Sequence, residues 1–101
     1  MDNVNDLAFQ LILFAGNGRS YAMEAIQEAK KGNFEKAEEL IKKAGEEIGQ
    51  AHKFQTELIH QEAQGQPVAV NILLVHAQDH LMTSMVVRDL ANEIIELYRS
   101  R

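Results

Sequence analysis

The chain has 101 residues, 46% of them hydrophobic and 25% charged, with a formal net charge of −5 and no cysteine. That is the composition of one folded domain rather than a disordered tail. It is too short for the two lobes with which most small-molecule enzymes enclose a substrate, so any chemistry is simple or shared with a partner.

Without cysteine there are no disulfides, thiolate metal sites or cysteine nucleophiles, which fits a reducing compartment. Lys and Arg are scattered, leaving no basic stripe to neutralise a nucleic-acid backbone. The apolar run Leu7 to Ala15 is preceded by Asp2 and Asp6, where a secretory leader would carry Lys or Arg, and Gln10 interrupts it. No stretch approaches the ~18 apolar residues of a membrane span. The expectation is a cytoplasmic protein with no direct membrane insertion.

Lys31-Gly32-Asn33 and Gly65-Gln66-Pro67 divide the sequence into three segments, because Gly ends a helix cheaply and the only Pro cannot sit inside one. The first, from about residue 4 to 31, places Leu7, Leu11, Phe14, Gly18, Ala22, Ala25 and Ala29 on one helical stripe. Gly16-Asn17-Gly18 is its weak point, each Gly costing roughly 1 kcal/mol against Ala. Gly18 lies on the stripe and reads as a close approach to a neighbouring helix. A phosphate-cradling loop would need more glycines and a following Lys-Ser/Thr.

The second segment, 34–64, spaces Phe34, Ala37, Ile41, Ala44, Ile48, Ala51, Gln55 and Leu58 by threes and fours, a continuous helical seam. Glu38/Lys42 and Glu39/Lys43 lie on its solvent side in the favourable i, i+4 order.

The third segment, 68–99, carries two stripes. One reads Leu73, His76, His80, Thr83, Val87, Leu90, Ile94, Leu97; the other reads Ile72, Val75, Asp79, Met82, Val86. A helix in a monomeric three-helix bundle needs one apolar face, so two predict a self-association surface, unless a wide stripe meets both partner helices of the same bundle. Val68 to Val75 is β-branched enough for a strand, but nothing else could pair with it. The predicted class is all-α, an antiparallel three-helix bundle forming one domain over residues 1–101, with helices at about 4–31, 34–64 and 68–99.

His76, Asp79 and His80 share a face of the third helix, and the spacing admits three chemistries. Two imidazoles at i and i+4 can bind zinc, but Ala77 stands where the zinc helix motif needs Glu, and a third ligand must come from elsewhere. A neutral imidazole can instead take a phosphoryl group as a labile phosphoramidate. That requires an exposed ring nitrogen, a group fixing the tautomer and donors for the phosphoryl oxygens; His76 would supply the nitrogen and His80 the support. Or the histidines are structural, pairing with Asp79, Gln55 or Thr83, and the chain is a helical adaptor or regulatory module. Two His and an Asp on one turn of an apolar helix favour a functional role, because ionisable groups are costly there without a partner or a task.

The run Val75-His76-Ala77-Gln78-Asp79-His80-Leu81-Met82-Thr83 resembles the lactose/cellobiose-type enzyme IIA family of the sugar phosphotransferase system. So do Ala51-His52-Lys53-Phe54-Gln55-Thr56 and Ala15-Gly16-Asn17-Gly18-Arg19-Ser20, and the resemblance covers almost the whole chain. It implies a phosphoryl carrier, phosphorylated at Nε2 of His76, that accepts phosphate from the histidine phosphocarrier protein and passes it to enzyme IIB during uptake of a β-linked disaccharide (cellobiose, lactose or chitobiose). Overall similarity leans to cellobiose or a related β-glucoside. The resemblance also implies a homotrimer in which three copies of Asp79 share one divalent cation, Mg, near the axis. Three converging carboxylates repel, and a hard cation relieves that charge.

His80 is assigned a supporting part. His52 and Gln55 have no role that follows from spacing, and His60 reads as a surface residue. A carrier docking two proteins in turn through His76 needs a largely apolar surround with a modest polar rim, for which Leu81 and Met85 are the candidates if assembly does not consume them.

Overall fold

The computed structural model describes residues 4–101 and has three helices: α1 (Val4–Lys30), α2 (Phe34–Ala63) and α3 (Ile72–Arg99). Asp2, named above against a leader, lies outside the described residues. No strand occurs among them.

The two glycine signals act as expected of helix ends. Gly32 and Gly65 have φ of 83° and 82°, a region open to Gly at little cost. At each, the glycine's own amide and the next one turn back onto the closing helix: Gly32 to the Ala29 carbonyl and Asn33 to that of Glu28, then Gly65 to Glu62 and Gln66 to Gln61. Carbonyls that the helix end would leave unpaired are thereby satisfied twice by the same motif.

The third helix begins at Ile72 rather than at residue 68. Pro67 and the β-branched Val68 and Val70 favour extended backbone, and Asn71, at φ −138° and ψ 174°, caps the helix by accepting the Leu74 amide at 2.8 Å. Its Nδ2 also donates to Asn5 Oδ1 at 2.9 Å, tying the start of α3 to α1.

The core is built on alanine at seven-residue steps. Ala8, Ala15, Ala22 and Ala29 on α1, Ala37, Ala44 and Ala51 on α2, and Ala77, Ser84 and Ala91 on α3 are all buried. Leu11, Leu40, Ile48, Leu58, Leu74, Leu81 and Ile95 fill the space between them. A heptad of small residues lets helix backbones approach closely and pack knobs into holes at a shallow angle. The bundle is accordingly long and thin, 51 × 20 × 19 Å. Helix α1 packs closely along both others, whereas α2 and α3 are less closely packed against each other. Asn5 meets Asn71 and Gly16 meets His80, so α1 and α3 run parallel; Gln55 meets Gln78 and Glu38 meets Arg99, so α2 opposes α3.

Gly18 is a site of close approach, as expected. A methyl there would overlap the Ile48 side chain and lie 3.1 Å from the Ala44 carbonyl oxygen.

Neither stripe expected on α3 is its core face. The buried residues are Leu74, Ala77, Leu81, Ser84, Ala91 and Ile95, displaced by one position from the first expected stripe. The cause is that this helix is apolar almost all round, so periodicity alone cannot choose the inward face, and the smallest side chains win where helices approach closest. Leu81 is therefore fully buried and Met85 packs against the core, which removes both from the docking surface. Ile72, Val75, Met82, Val86, Leu90 and Leu97 remain between 50% and 85% exposed on the side facing away from the bundle.

Candidate functional site

His76 and His80 project on the flank of α3 that borders α1. Their ring centroids are 5.7 Å apart, with planes inclined by 41°. His76 is exposed and His80 half-buried. The backbone beneath is held by Ser84, fully buried, whose Oγ donates to the His80 carbonyl at 2.7 Å, and by Thr83, whose Oγ1 donates to the Asp79 carbonyl at 2.9 Å.

Helix α1 supplies the other wall. A Cβ at Gly16 would sit 3.2 Å from His80 Nε2, so the absence of a side chain there makes room for the ring. Burial lowers the His80 pKa from its ordinary value, and the positive charges of Arg19 and His76 lower it further against an opposing pull from Asp79. His80 is thus held toward the neutral imidazole, able to donate from one ring nitrogen and accept at the other.

Asp79 is exposed, one residue from His80 on the outward face, among Val75, Met82 and Val86. None of the ion pairs among the described residues involves it. Nor do any three His, Asp or Glu side chains among the described residues gather to hold a metal.

Gln55 and Gln78 belong to the opposite flank, where α2 meets α3. Gln55 Nε2 donates to Gln78 Oε1 at 2.7 Å and approaches Met82 Sδ at 3.7 Å. This is a link between helices and does not touch the histidine pair. His52 is exposed on α2, joined to the pair by no hydrogen bond or ring contact among the described residues. His60 is exposed near the end of α2.

The reading of the sequence missed individual contributions from Gly16 and Arg19. Spacing shows only that the two, three residues apart, share a face of α1; that this face lies against His80 depends on the register of α1 on α3.

Residues 6–99 match the family described as PTS system, lactose/cellobiose-specific IIA subunit. Among curated proteins, the lichenan-specific phosphotransferase enzyme IIA component of Bacillus subtilis (strain 168) is 53% identical over 97 residues, covering 96% of this chain and 88% of that protein. Among solved structures, the cellobiose-specific enzyme IIA of Bacillus anthracis superposes with a TM-score of 0.95 at 51% identity, over 99% of this chain and 92% of that one. The IIA(chitobiose) of Escherichia coli, solved in complex with HPr, superposes with a TM-score of 0.85 at 37% identity, over 99% and 97%. The three-helix architecture, the exposed histidine on its third helix and these matches agree, and the chain belongs to the lactose/cellobiose-specific IIA subunit family of the phosphotransferase system.

Proposed function

We propose that this chain is a cytoplasmic phosphoryl carrier that accepts phosphate on His76 from the histidine phosphocarrier protein and passes it to enzyme IIB, serving uptake of a β-linked disaccharide. The observation that carries the reading is the ring pair: His76 exposed to a partner, with His80 half-buried one turn along. Relatives named for lichenan, cellobiose and chitobiose support the substrate class, and the solved complex of a relative with HPr supports the donor. No helix among the described residues is long and apolar enough to cross a membrane.

In the transfer, neutral His76 carries its proton on Nδ1 and presents the Nε2 lone pair to phosphorus. A new N–P bond forms as the donor's P–N bond breaks. The electron pair of the broken bond returns to the donor ring, which takes up a proton, while Nδ1 of His76 gives one up. Passage to the acceptor repeats the exchange in the opposite sense. Such a loose transfer asks the protein mainly for positioning and for positive or donor groups at the equatorial oxygens. His80 supports this by meeting the phosphoryl oxygens.

The outward strip of α3 is the proposed trimer surface, and Asp79 fits the shared cation. Its carboxylate supplies hard oxygen donors, the type that Mg takes. Asp79 is the carboxylate within the apolar N-terminal half of this strip, and one such group is too few for a hard cation, so the donor set would combine the Asp79 side chains of three copies. A bound Mg would neutralise the converging carboxylates.

The test is incubation of the purified protein with phosphoenolpyruvate, the general phosphotransferase enzyme and the phosphocarrier protein, followed by intact mass at neutral pH. A gain of one acid-labile phosphate mapping to His76, absent in His76→Gln, is expected. No gain with competent donors would put the helical adaptor in first place.

A further inference from the structure

A phosphoryl group on His76 would add close to two negative charges one turn from Asp79, on a chain that already carries −5. Like charges at that separation repel, so the loaded state needs a cation nearby. Four arginines are available. Arg88 is paired with Asp89 at 2.8 Å, Arg99 with Glu38 at 2.6 Å, and Arg101 lies over the Tyr98 ring at 5.7 Å. Lys31 pairs with Glu28 and Lys36 with Glu39 near the α1–α2 turn, Lys30 ends α1 at that same turn, Lys42 is exposed on α2, and Lys43 lies over Tyr21. Lys53 is on α2, which meets α3 on the flank opposite His76.

Arg19 remains. It is exposed and enters none of the ion pairs among the described residues. Gly16, one turn earlier, sets the α1 backbone against the His80 ring, so residue 19 starts from the same face just beyond that ring. Side chains on a helix lean toward its N-terminus, and α1 runs parallel to α3, so a long side chain at 19 leans back past His80 toward His76.

We propose that Arg19 is a phosphoryl-binding residue, its guanidinium reaching over His80 to hold the equatorial oxygens of the group carried by His76. The inference rests on the carrier reading and deepens it. A planar fork offers paired N–H donors to two oxygens at once, which an ammonium does not. In the free protein the fork stands in solvent. On loading it gains a dianion, while Asp79 stays on the outer side of the helix.

The experiment measures phosphoryl occupancy at a fixed ratio of phosphorylated to free phosphocarrier protein for the wild type, Arg19→Gln and Arg19→Lys, alongside melting temperature. Arg19→Gln is expected to lower the loaded-to-free ratio by roughly tenfold or more, the loss of one charge-assisted contact, with Lys recovering part and the melting temperature unchanged. As a second readout that does not depend on the variants folding, phenylglyoxal should modify Arg19 more slowly in phosphorylated wild type than in the unloaded protein. Equal loading of Arg19→Gln and wild type, or equal modification in both states, overturns the role of Arg19 and leaves the carrier reading intact. A wild type that takes no phosphate sinks both, so the two failures are distinguishable.

Discussion

Gly16 on α1 and His80 on α3 are in direct apposition: a methyl at residue 16 would lie 3.2 Å from the ring Nε2, tighter than ordinary van der Waals contact. The glycine that looks like a flaw in the first helix is therefore the seat of the half-buried imidazole. Gly16→Ala adds about 1 kcal/mol of helix propensity and displaces the ring by a few tenths of an ångström. His80 is partly exposed and can yield, so thermal stability should hold or rise slightly. Phosphoryl uptake should slow severalfold, because the supporting ring has moved. Melting curves and single-turnover loading by phosphorylated phosphocarrier protein, measured on the same preparation, check both halves.

Two residues away, the opposite outcome is expected. A methyl at Gly18 meets the buried Ile48 side chain, with Cδ1 at 2.9 Å, and the Ala44 carbonyl of α2, which is backbone and cannot rotate away. Gly18→Ala should destabilise by about 1–3 kcal/mol despite its better propensity, as overpacked cores do. Combining it with Ile48→Ala removes part of the overlap. The two changes should then cost less together than their sum, which a double-mutant cycle in urea would detect.

How much was legible depended on how one-sided each helix is. Helix α2 alternates charged and apolar faces, so its seam of Ala37, Ala44, Ile48, Ala51 and Leu58 was readable, although Leu40 took the buried place beside the half-buried Ile41. Helix α3 offered apolar residues in every direction, and its true inward face of Ala77, Leu81 and Ser84 carried no stronger signal than its neighbours. The histidine pair was visible because i, i+4 spacing guarantees a shared flank on any helix. The contributions of Gly16 and Arg19 were not, because a contact between α1 and α3 depends on the register of two helices far apart in the chain.

Asn71 tests the start of the helix that carries the pair. It caps α3 through the Leu74 amide and donates to Asn5. Asn71→Ala should cost ~1 kcal/mol. Asn71→Asp should keep the cap, and the added negative charge at a helix N-terminus offsets some of the lost contact with Asn5. Urea midpoints in the order wild type, Asp, Ala would bear this out, whereas an Ala variant as stable as wild type would mean the cap contributes nothing.

The proposed trimer gives the outward strip on α3 its own test. Ile72, Val75, Met82, Val86 and Leu90 form an exposed apolar band of the kind that marks an interaction surface, interrupted by the carboxylate of Asp79. The native mass should be about three times the 11.4 kDa chain in sedimentation. Asp79→Leu should retain or strengthen that assembly while abolishing metal uptake, because apolar contact replaces repelling carboxylates that needed a cation. Val86→Glu should do the reverse: a charge at the centre of the band has no partner in the assembled state, so the trimer should dissociate into folded monomers with helical circular dichroism preserved. The two variants pull in opposite directions through the same surface. Dissociation by Asp79→Leu, or an intact trimer in Val86→Glu, would move the interface away from this face of α3.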